Sequence, residues 1–167
     1  MHVSFVTAEV APYSGSSPSA EVAGALPKGL RAHDTSVTVI SPLYRSIDPA
    51  QHALARRLSK IEVEVGGETL AFEMYTGRNV SGVQLIFLGH EDAFAEVDSF
   101  FEGAPEAVAR RLAAFARAAA KTIADHDEPF DVVHAQGSLG AAVVPLVSVP
   151  TVLSVHGTDA PTFAPAL

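Results

Sequence analysis

The side chains of this chain that could do chemistry gather in an early loop and at the ends of two late apolar runs. The early loop carries Glu9 and Glu21 on either side of Gly15, and the late runs lead to His134 and His156. Two carboxylates facing one another could perform general acid–base catalysis, and two histidines could bind a metal ion if a third ligand joined them. Cysteine is absent, which excludes a thiolate metal site and a cysteine nucleophile.

Simpler structural roles compete with each of these interpretations. His134 and His156 follow adjacent predicted strands, where they could form hydrogen bonds to backbone groups instead of binding a metal. A metal site would need Asp159 or Glu9 as a further ligand, and we predict neither a metal site nor a cofactor. Glu21 would stabilise the positive end of a helix dipole, and Glu9 would accept hydrogen bonds from neighbouring N–H groups.

The loop at residues 14–19 is where an α/β sheet would bind a phosphate group, because it connects a strand to the N-terminus of a helix. Its sequence, SGSSPS, supplies little for that purpose. Pro18 has no N–H to donate, and the first lysine or arginine of the chain is Lys28. Ser17 suits the helix N-cap and Pro18 the first helical position. We therefore favour a plain capped helix over a phosphate site.

Composition limits the class of protein. The chain has 167 residues, of which 48% are hydrophobic, which is enough for one domain with a sizeable core. The formal net charge of −8 disfavours nucleic-acid and anionic-membrane partners. The first twelve residues lack the pattern of a signal peptide, and no apolar run approaches the length of a membrane span. We predict a cytoplasmic protein.

Hydrophobic patterning predicts strands that alternate with helices. Strands are predicted at 3–6, 36–40, 61–65, 68–75, 83–88, 131–134 and 150–155, and helices from 18 onward, at 105–124 and at 137–147, with two helical turns at 51–58. This order indicates an α/β protein: a single Rossmann-like domain over 1–159 with a mostly parallel sheet, helices on both faces and a β-hairpin insert. The tail, 160–167, contains two prolines, and we expect it to be loosely attached.

Two groups of side chains outside the loop also have competing interpretations. Phe94, Phe100 and Phe101 lie in an irregular segment; such residues belong more often to a core, but they are our best candidate for an exposed apolar patch. On the long helix at 105–124, Arg111 flanks the apolar stripe, and we expect the arginines to form a solvated face instead of a binding patch.

Several sequence blocks resemble those of one enzyme family. In chain order they are AEVAPY (8–13), GALPKGL (24–30), SPLYRSID (41–48), VGGE (65–68), LIFLGHEDAF (85–94), RRLAAFARAA (110–119), DVVHA (131–135) and TVLSVHG (151–157). The chain resembles the N-terminal domain of bacterial glycogen synthases and plant starch synthases, which are two-domain GT-B glycosyltransferases that use ADP-glucose. The resemblance covers nearly the whole chain and implies half of a GT-B fold.

The chain departs from the family where the family performs its chemistry. A K-T-G-G-L motif, whose lysine and glycine N–H groups engage the sugar-nucleotide phosphates, is replaced by Gly15 to Ser19, although the acidic residue downstream remains as Glu21. A second motif, similar to H-A-H-D-W-H-T-A, keeps only its first histidine, as His134, with the adjacent alanine. The family's histidine near the transferred glucose is matched by His156. The resemblance also implies a second domain, which binds most of the nucleotide and which we do not find in these residues.

These departures leave three hypotheses about function. We favour a non-catalytic domain that binds a partner protein or a second copy of itself. A second hypothesis is a glucan-binding module, because the family's domain carries part of the acceptor surface. The third is half of an ADP-glucose-dependent α-1,4-glucosyltransferase that needs a separately encoded C-terminal partner. Apart from the family-matching His156, we assign no catalytic residue.

Overall fold

A computed structural model describes residues 1–156 of the chain. The strands are β1 (His2–Val6), β2 (Ser36–Pro42), β3 (Ala55–Val65), β4 (Glu68–Arg78), β5 (Gln84–Gly89), β6 (Val132–Gln136) and β7 (Thr151–Ser154). The helices are α1 (Pro18–Ala32), α2 (Glu91–Phe94), α3 (Pro105–Ala124) and α4 (Gly137–Val143), and a 3₁₀ turn follows at Val144–Leu146. The proposed domain boundary at 159 and the tail at 160–167 lie outside the described residues.

All seven strands form one sheet in the order β3-β4-β5-β2-β1-β6-β7. The five strands from β5 to β7 are mutually parallel, and the β3–β4 hairpin is added antiparallel beside β5. This confirms the predicted α/β class, the mostly parallel sheet and the hairpin insert. The carboxyl ends of β1, β6 and β7 meet at one edge, where open α/β sheets bind ligands.

The burial of their side chains explains why the central strands have almost entirely apolar sequences. Every residue of β1 is buried, and β2 and β5 are buried over nearly their whole length. Near-continuous apolar strands of this kind are typical of parallel sheets that are covered on both sides. Helix α1 packs against β2, and α3 packs against the hairpin and α4. None of the helices between residues 1 and 156 combines the length and the apolar character needed to cross a membrane.

Three sequence-based expectations were wrong in part. Phe94 and Phe100 are fully buried against α3, so of the three phenylalanines only Phe101 is exposed. Arg111 is buried as well, whereas its neighbour Arg110 lies on the solvated face. The segment 51–58 does not form helical turns throughout, because β3 begins at Ala55 and pairs with β4.

Candidate functional site

The predicted site residues lie around the N-terminus of α1 and the carboxyl ends of β1 and β6. Ser17 is the N-cap of α1, and its Oγ accepts a hydrogen bond from the N–H of Ala20 at 3.2 Å. Pro18 occupies the first turn, as predicted. Glu21 is exposed in that turn, where its charge is favourable to the helix dipole. The sequence-based prediction of a capped helix is therefore confirmed.

Glu9 folds over the loop and contacts its small residues. The Ser17 hydroxyl donates to Glu9 Oε2 at 2.8 Å, so the carboxylate bonds to a side chain and not to the N–H groups expected from sequence. Gly15 has a φ of 69°, and a Cβ built there would lie 2.3 Å from the same Oε2 atom. A larger residue at position 15 would force the carboxylate to move. The space beside the helix N-terminus thus already holds an anionic group of the chain itself.

Gln136 connects the loop to the ends of three strands. Its Nε2 donates to the carbonyl of Ser19 at 3.0 Å, and its Oε1 accepts from the hydroxyl of Thr7 at 2.8 Å. The amide orientation follows from chemistry, because a carbonyl can only accept. Gln136 Nε2 also lies 2.7 Å from His156 Nε2. Since the amide nitrogen can only donate, His156 Nε2 is the acceptor and the imidazole carries its proton on Nδ1.

Neither Thr7 nor Gln136 is identified as a site residue by the sequence analysis. Gln136 is buried at the end of β6, at a position where the family motif differs from this chain. A buried amide must satisfy both its donors and its acceptor, and the three partners supply that. The sequence feature that could have identified Gln136 as a site residue was its position at the end of an apolar strand.

His134 lies one pleat earlier on β6 and points towards β7. Its Nε2 is 2.7 Å from the hydroxyl of Ser154, and its ring packs on Phe5 with centroids 4.6 Å apart. Burial, with a smaller contribution from the nearby His156, lowers the pKa of His134 below its ordinary value. The two histidines were expected to bond to backbone groups, but both bond to side chains instead. Because its pKa lies below the ordinary value of about 6.5, the imidazole of His134 is neutral at pH 7.

Apart from the Glu9 carboxylate, the side chains gathered at this site offer only hydrogen bonds between neutral groups. Across residues 1–156, no three histidine, aspartate or glutamate side chains come together in a way that could hold a metal ion. Asp159, the other ligand considered, lies outside the described residues. Glu9 is turned to Ser17 while Glu21 is exposed, so the structure gives no sign of a carboxylate pair for acid–base work.

A separate cavity of about 640 Å³ lies at the carboxyl end of β5. Its walls include Tyr44, Arg45, Glu73, His90 and Asp92. Tyr44 presents little ring surface, since the side chain is almost completely buried and its hydroxyl donates to the carbonyl of Ala8. None of the loop residues around Ser17 lines this cavity.

Comparison with known proteins was made at the levels of family, sequence and structure. A family model described as the starch synthase catalytic domain matches residues 2–162. A glycogen synthase of Anaeromyxobacter sp. (strain Fw109-5) is 36% identical over 121 residues, which is 71% of this chain and 24% of that protein. Glycogen synthase 2 of Geobacter sulfurreducens is 29% identical over 168 residues, which is 98% of this chain and 33% of that protein.

Among solved structures, the catalytic domain of starch synthase IV from Arabidopsis thaliana, bound to ADP and acarbose, has the same fold. The two superpose with a TM-score of 0.79 at 21% identity, over 93% of this chain and 34% of the plant protein chain. The likeness at this identity concerns the fold alone. The chain spans between a quarter and a third of the length of these relatives.

Proposed function

The chain belongs to the starch synthase catalytic domain family, and we propose that within this family it is a domain that has lost sugar-nucleotide chemistry and acts by binding protein. The observation that carries the proposal is the closed N-terminus of α1. Ser17 caps Ala20, Pro18 offers no N–H, and the Glu9 carboxylate lies against Gly15 and Ser17.

This arrangement opposes a pyrophosphate for electrostatic reasons. A phosphate at a helix N-terminus needs free N–H groups and is favoured by positive charge. The loop supplies one carboxylate, and the first basic side chain is Lys28, nearly three turns into α1. Losing one donor to a developing negative charge commonly costs a factor of about 10² to 10³ in rate. At that rate, the loss of two donors, the lysine and a glycine N–H, would cost a factor of about 10⁴ to 10⁶ in rate.

Titration calorimetry with ADP and with ADP-glucose tests the proposal. We expect no heat of binding from this chain. Because the family's second domain binds most of the nucleotide, the matched control is the part of the starch synthase IV catalytic domain that superposes on this chain, taken from the protein that was solved with ADP bound. A dissociation constant for ADP comparable to that of the control would contradict the proposal.

A restored loop shows whether these residues account for the loss. The variant Gly15→Lys/Ser16→Thr/Ser17→Gly/Pro18→Gly carries the K-T-G-G sequence of the family, and the Glu9 carboxylate must move to make room for the lysine. We expect this variant to gain measurable affinity for ADP that the parent chain lacks. Circular dichroism controls for the loss of the Ser17 cap, which costs about 1 kcal/mol.

The glucan-binding and half-enzyme hypotheses predict different results. A glucan-binding module would be retarded in native gels cast with glycogen, whether or not it binds ADP. The chain has no tryptophan and three tyrosines, so aromatic platforms for sugar rings are few. Half of a transferase would turn over ADP-glucose once a C-terminal domain is supplied.

A further inference from the structure

His2, the first residue of β1, places an imidazole inside the protein at the amino edge of the sheet. The residue is 8% exposed, and its ring packs on Phe130 with centroids 4.3 Å apart. The ring of His126 contacts both, at 5.5 Å from His2 and 4.6 Å from Phe130. These three rings, which we call the ring cluster, join β1 to the segment 125–131 that connects α3 to β6.

Hydrogen bonds identify which nitrogen of His2 carries the proton. The Thr38 hydroxyl donates to Gln84 Oε1 at 3.3 Å, because a carbonyl oxygen can only accept. The hydroxyl oxygen therefore accepts from His2 Nε2, which lies 3.0 Å away. In the neutral ring Nδ1 is then without a proton, and this buried atom has no hydrogen-bond partner among residues 1–156. Buried polar atoms are normally paired, so the ring occupies an incomplete site.

Protonation of His2 would place a charge in these surroundings. The titratable groups that face the ring all belong to segment 125–131, and they are His126, Glu128 and Asp131. Strands β2 and β5 contribute neutral side chains, through the hydrogen bonds just described. Burial, with a smaller contribution from His126, lowers the pKa of His2 below its ordinary value, and together they outweigh the two carboxylates and the Pro129 carbonyl. The fold therefore stabilises the neutral ring.

Two hydrogen bonds attach segment 125–131 to His2 beside the ring cluster. The N–H of His2 donates to Asp131 Oδ2 at 2.7 Å, and the N–H of Asp131 donates to the carbonyl of His2 at 2.9 Å. Phe130 is the only buried residue of the segment, and the others are exposed or partly exposed. Because Phe130 packs on His2, the one buried side chain of the segment rests on the ring that titrates.

We propose that protonation of His2 below neutral pH releases segment 125–131 from the start of β1. An imidazolium between Phe130 and His126 gains access to water when the segment moves away. Since the pKa of His2 is lowered in the closed form, the released form binds the proton more tightly, and release becomes more favourable as the pH falls below about 6.5.

This switch lies at the amino edge of the sheet, whereas the candidate site lies at the carboxyl ends of the strands. It therefore does not depend on the proposed function, and either can fail alone. Burial also lowers the pKa of His134 on β6, so the overall stability of the protein would report on both histidines. A test of the switch needs a local readout.

The amide of Asp131, which donates to the His2 carbonyl, supplies that readout in the unaltered chain. We expect NMR to show the His2 ring titrating below the exposed His33. The protection of the Asp131 amide against hydrogen exchange, corrected for the intrinsic rate, should fall by up to about tenfold per pH unit below about pH 6.5. Amides inside α3 should stay more protected at every pH, which distinguishes release of the segment from unfolding.

Three substitutions by glutamine assign the effect to the ring cluster. His2→Gln removes the titrating group but keeps an amide donor for Thr38, and protection of the Asp131 amide should then no longer depend on pH. His126→Gln should raise the pKa of His2 towards its ordinary value and weaken the pH dependence. His33→Gln makes the same change at an exposed site and should leave the pH dependence unaltered.

Three results would overturn the inference. They are a His2 ring that titrates at or above the ordinary value, a pH dependence at Asp131 that survives in His2→Gln, and protection at Asp131 that equals that of α3. The first and third are measured on the unaltered chain, so the test does not depend on how well the fold tolerates a substitution.

Discussion

At the scale of single residues, two buried polar side chains connect loops to the rest of the fold through hydrogen bonds. Gln136 joins Thr7, Ser19 and His156 at the candidate site. Arg111 does the same for the segment between α2 and α3. Its Nε donates to the carbonyl of Ala93 at 2.7 Å, and its Nη1 donates to those of Phe100 and Glu102 at 2.7 and 2.9 Å. Burial lowers the pKa of this guanidinium, which three carbonyl oxygens nevertheless solvate.

We predict that Arg111→Lys lowers the free energy of unfolding by about 2 kcal/mol or more, because an ammonium cannot reach three carbonyls in a fixed fork. Arg110→Lys is the matched control. Arg110 is exposed and pairs with Glu68, so its replacement should change stability by about 0.5 kcal/mol at most. Urea denaturation of both variants measures the difference, and equal effects would show that the buried hydrogen bonds contribute little.

These residues show where sequence-based prediction reached its limit. The cap at Ser17 and Pro18 was predictable, because it depends on neighbours within three positions. Gln136 and Arg111 depend on partners contributed by distant segments: Thr7 lies 129 positions from Gln136. Helical periodicity placed Arg111 at the border of the apolar face of α3, but it could not show that three carbonyls meet there.

At the scale of elements, α1 contains two glycines whose surroundings are opposite. A Cβ at Gly24 would lie 2.5 Å from the carbonyl oxygen of Ala11, so α1 and the loop before it touch backbone to backbone at this point. A Cβ at Gly29 would meet nothing within 4 Å. The helix therefore needs glycine at position 24 for close approach, while at position 29 glycine only lowers helix propensity.

Alanine substitutions separate these two roles. Gly29→Ala should stabilise the protein by about 0.5 to 1 kcal/mol through helix propensity. Gly24→Ala makes the same chemical change in the same helix but should destabilise the protein by about 1 to 3 kcal/mol, because the loop must move away. Thermal unfolding of both variants checks the opposite signs, and stabilisation by both would mean that the loop tolerates displacement.

Element boundaries were predictable where local pattern decides them. Helix α3 spans Pro105–Ala124, as its apolar period and its initial proline predict. The failure at 51–58 has a long-range cause. Ala55 and Arg56 extend β3 because β4 offers Thr76 and Tyr75 as partners, and that pairing contributes more than local helix propensity.

At the scale of the whole molecule, the mostly parallel sheet and its hairpin insert follow from the alternation of strands and helices together with the family resemblance. The difference between its two edges does not follow from them. Hydropathy identifies β7 and the second half of β3 as strands, but only the sheet order shows that both lie at an edge of the sheet formed by residues 1–156. Of the two edge strands of residues 1–156, β3 is charged and irregularly paired, whereas β7 is uncharged and apolar, so only β3 carries the features that normally keep an edge from pairing with another chain.

If the charges of β3 protect that edge, their removal should create a site of association there. We predict that Arg57→Ile/Lys60→Ile makes the chain form species larger than the parent, because β3 then exposes an apolar edge. Lys28→Ile/Arg78→Ile is the control, since it removes two positive charges from α1 and from β4, which is not an edge strand. Both double variants have the same net charge, so repulsion between chains rises equally. Light scattering and turbidity on warming should therefore rise for the β3 variant alone, whereas equal aggregation would attribute protection to total charge instead of its position.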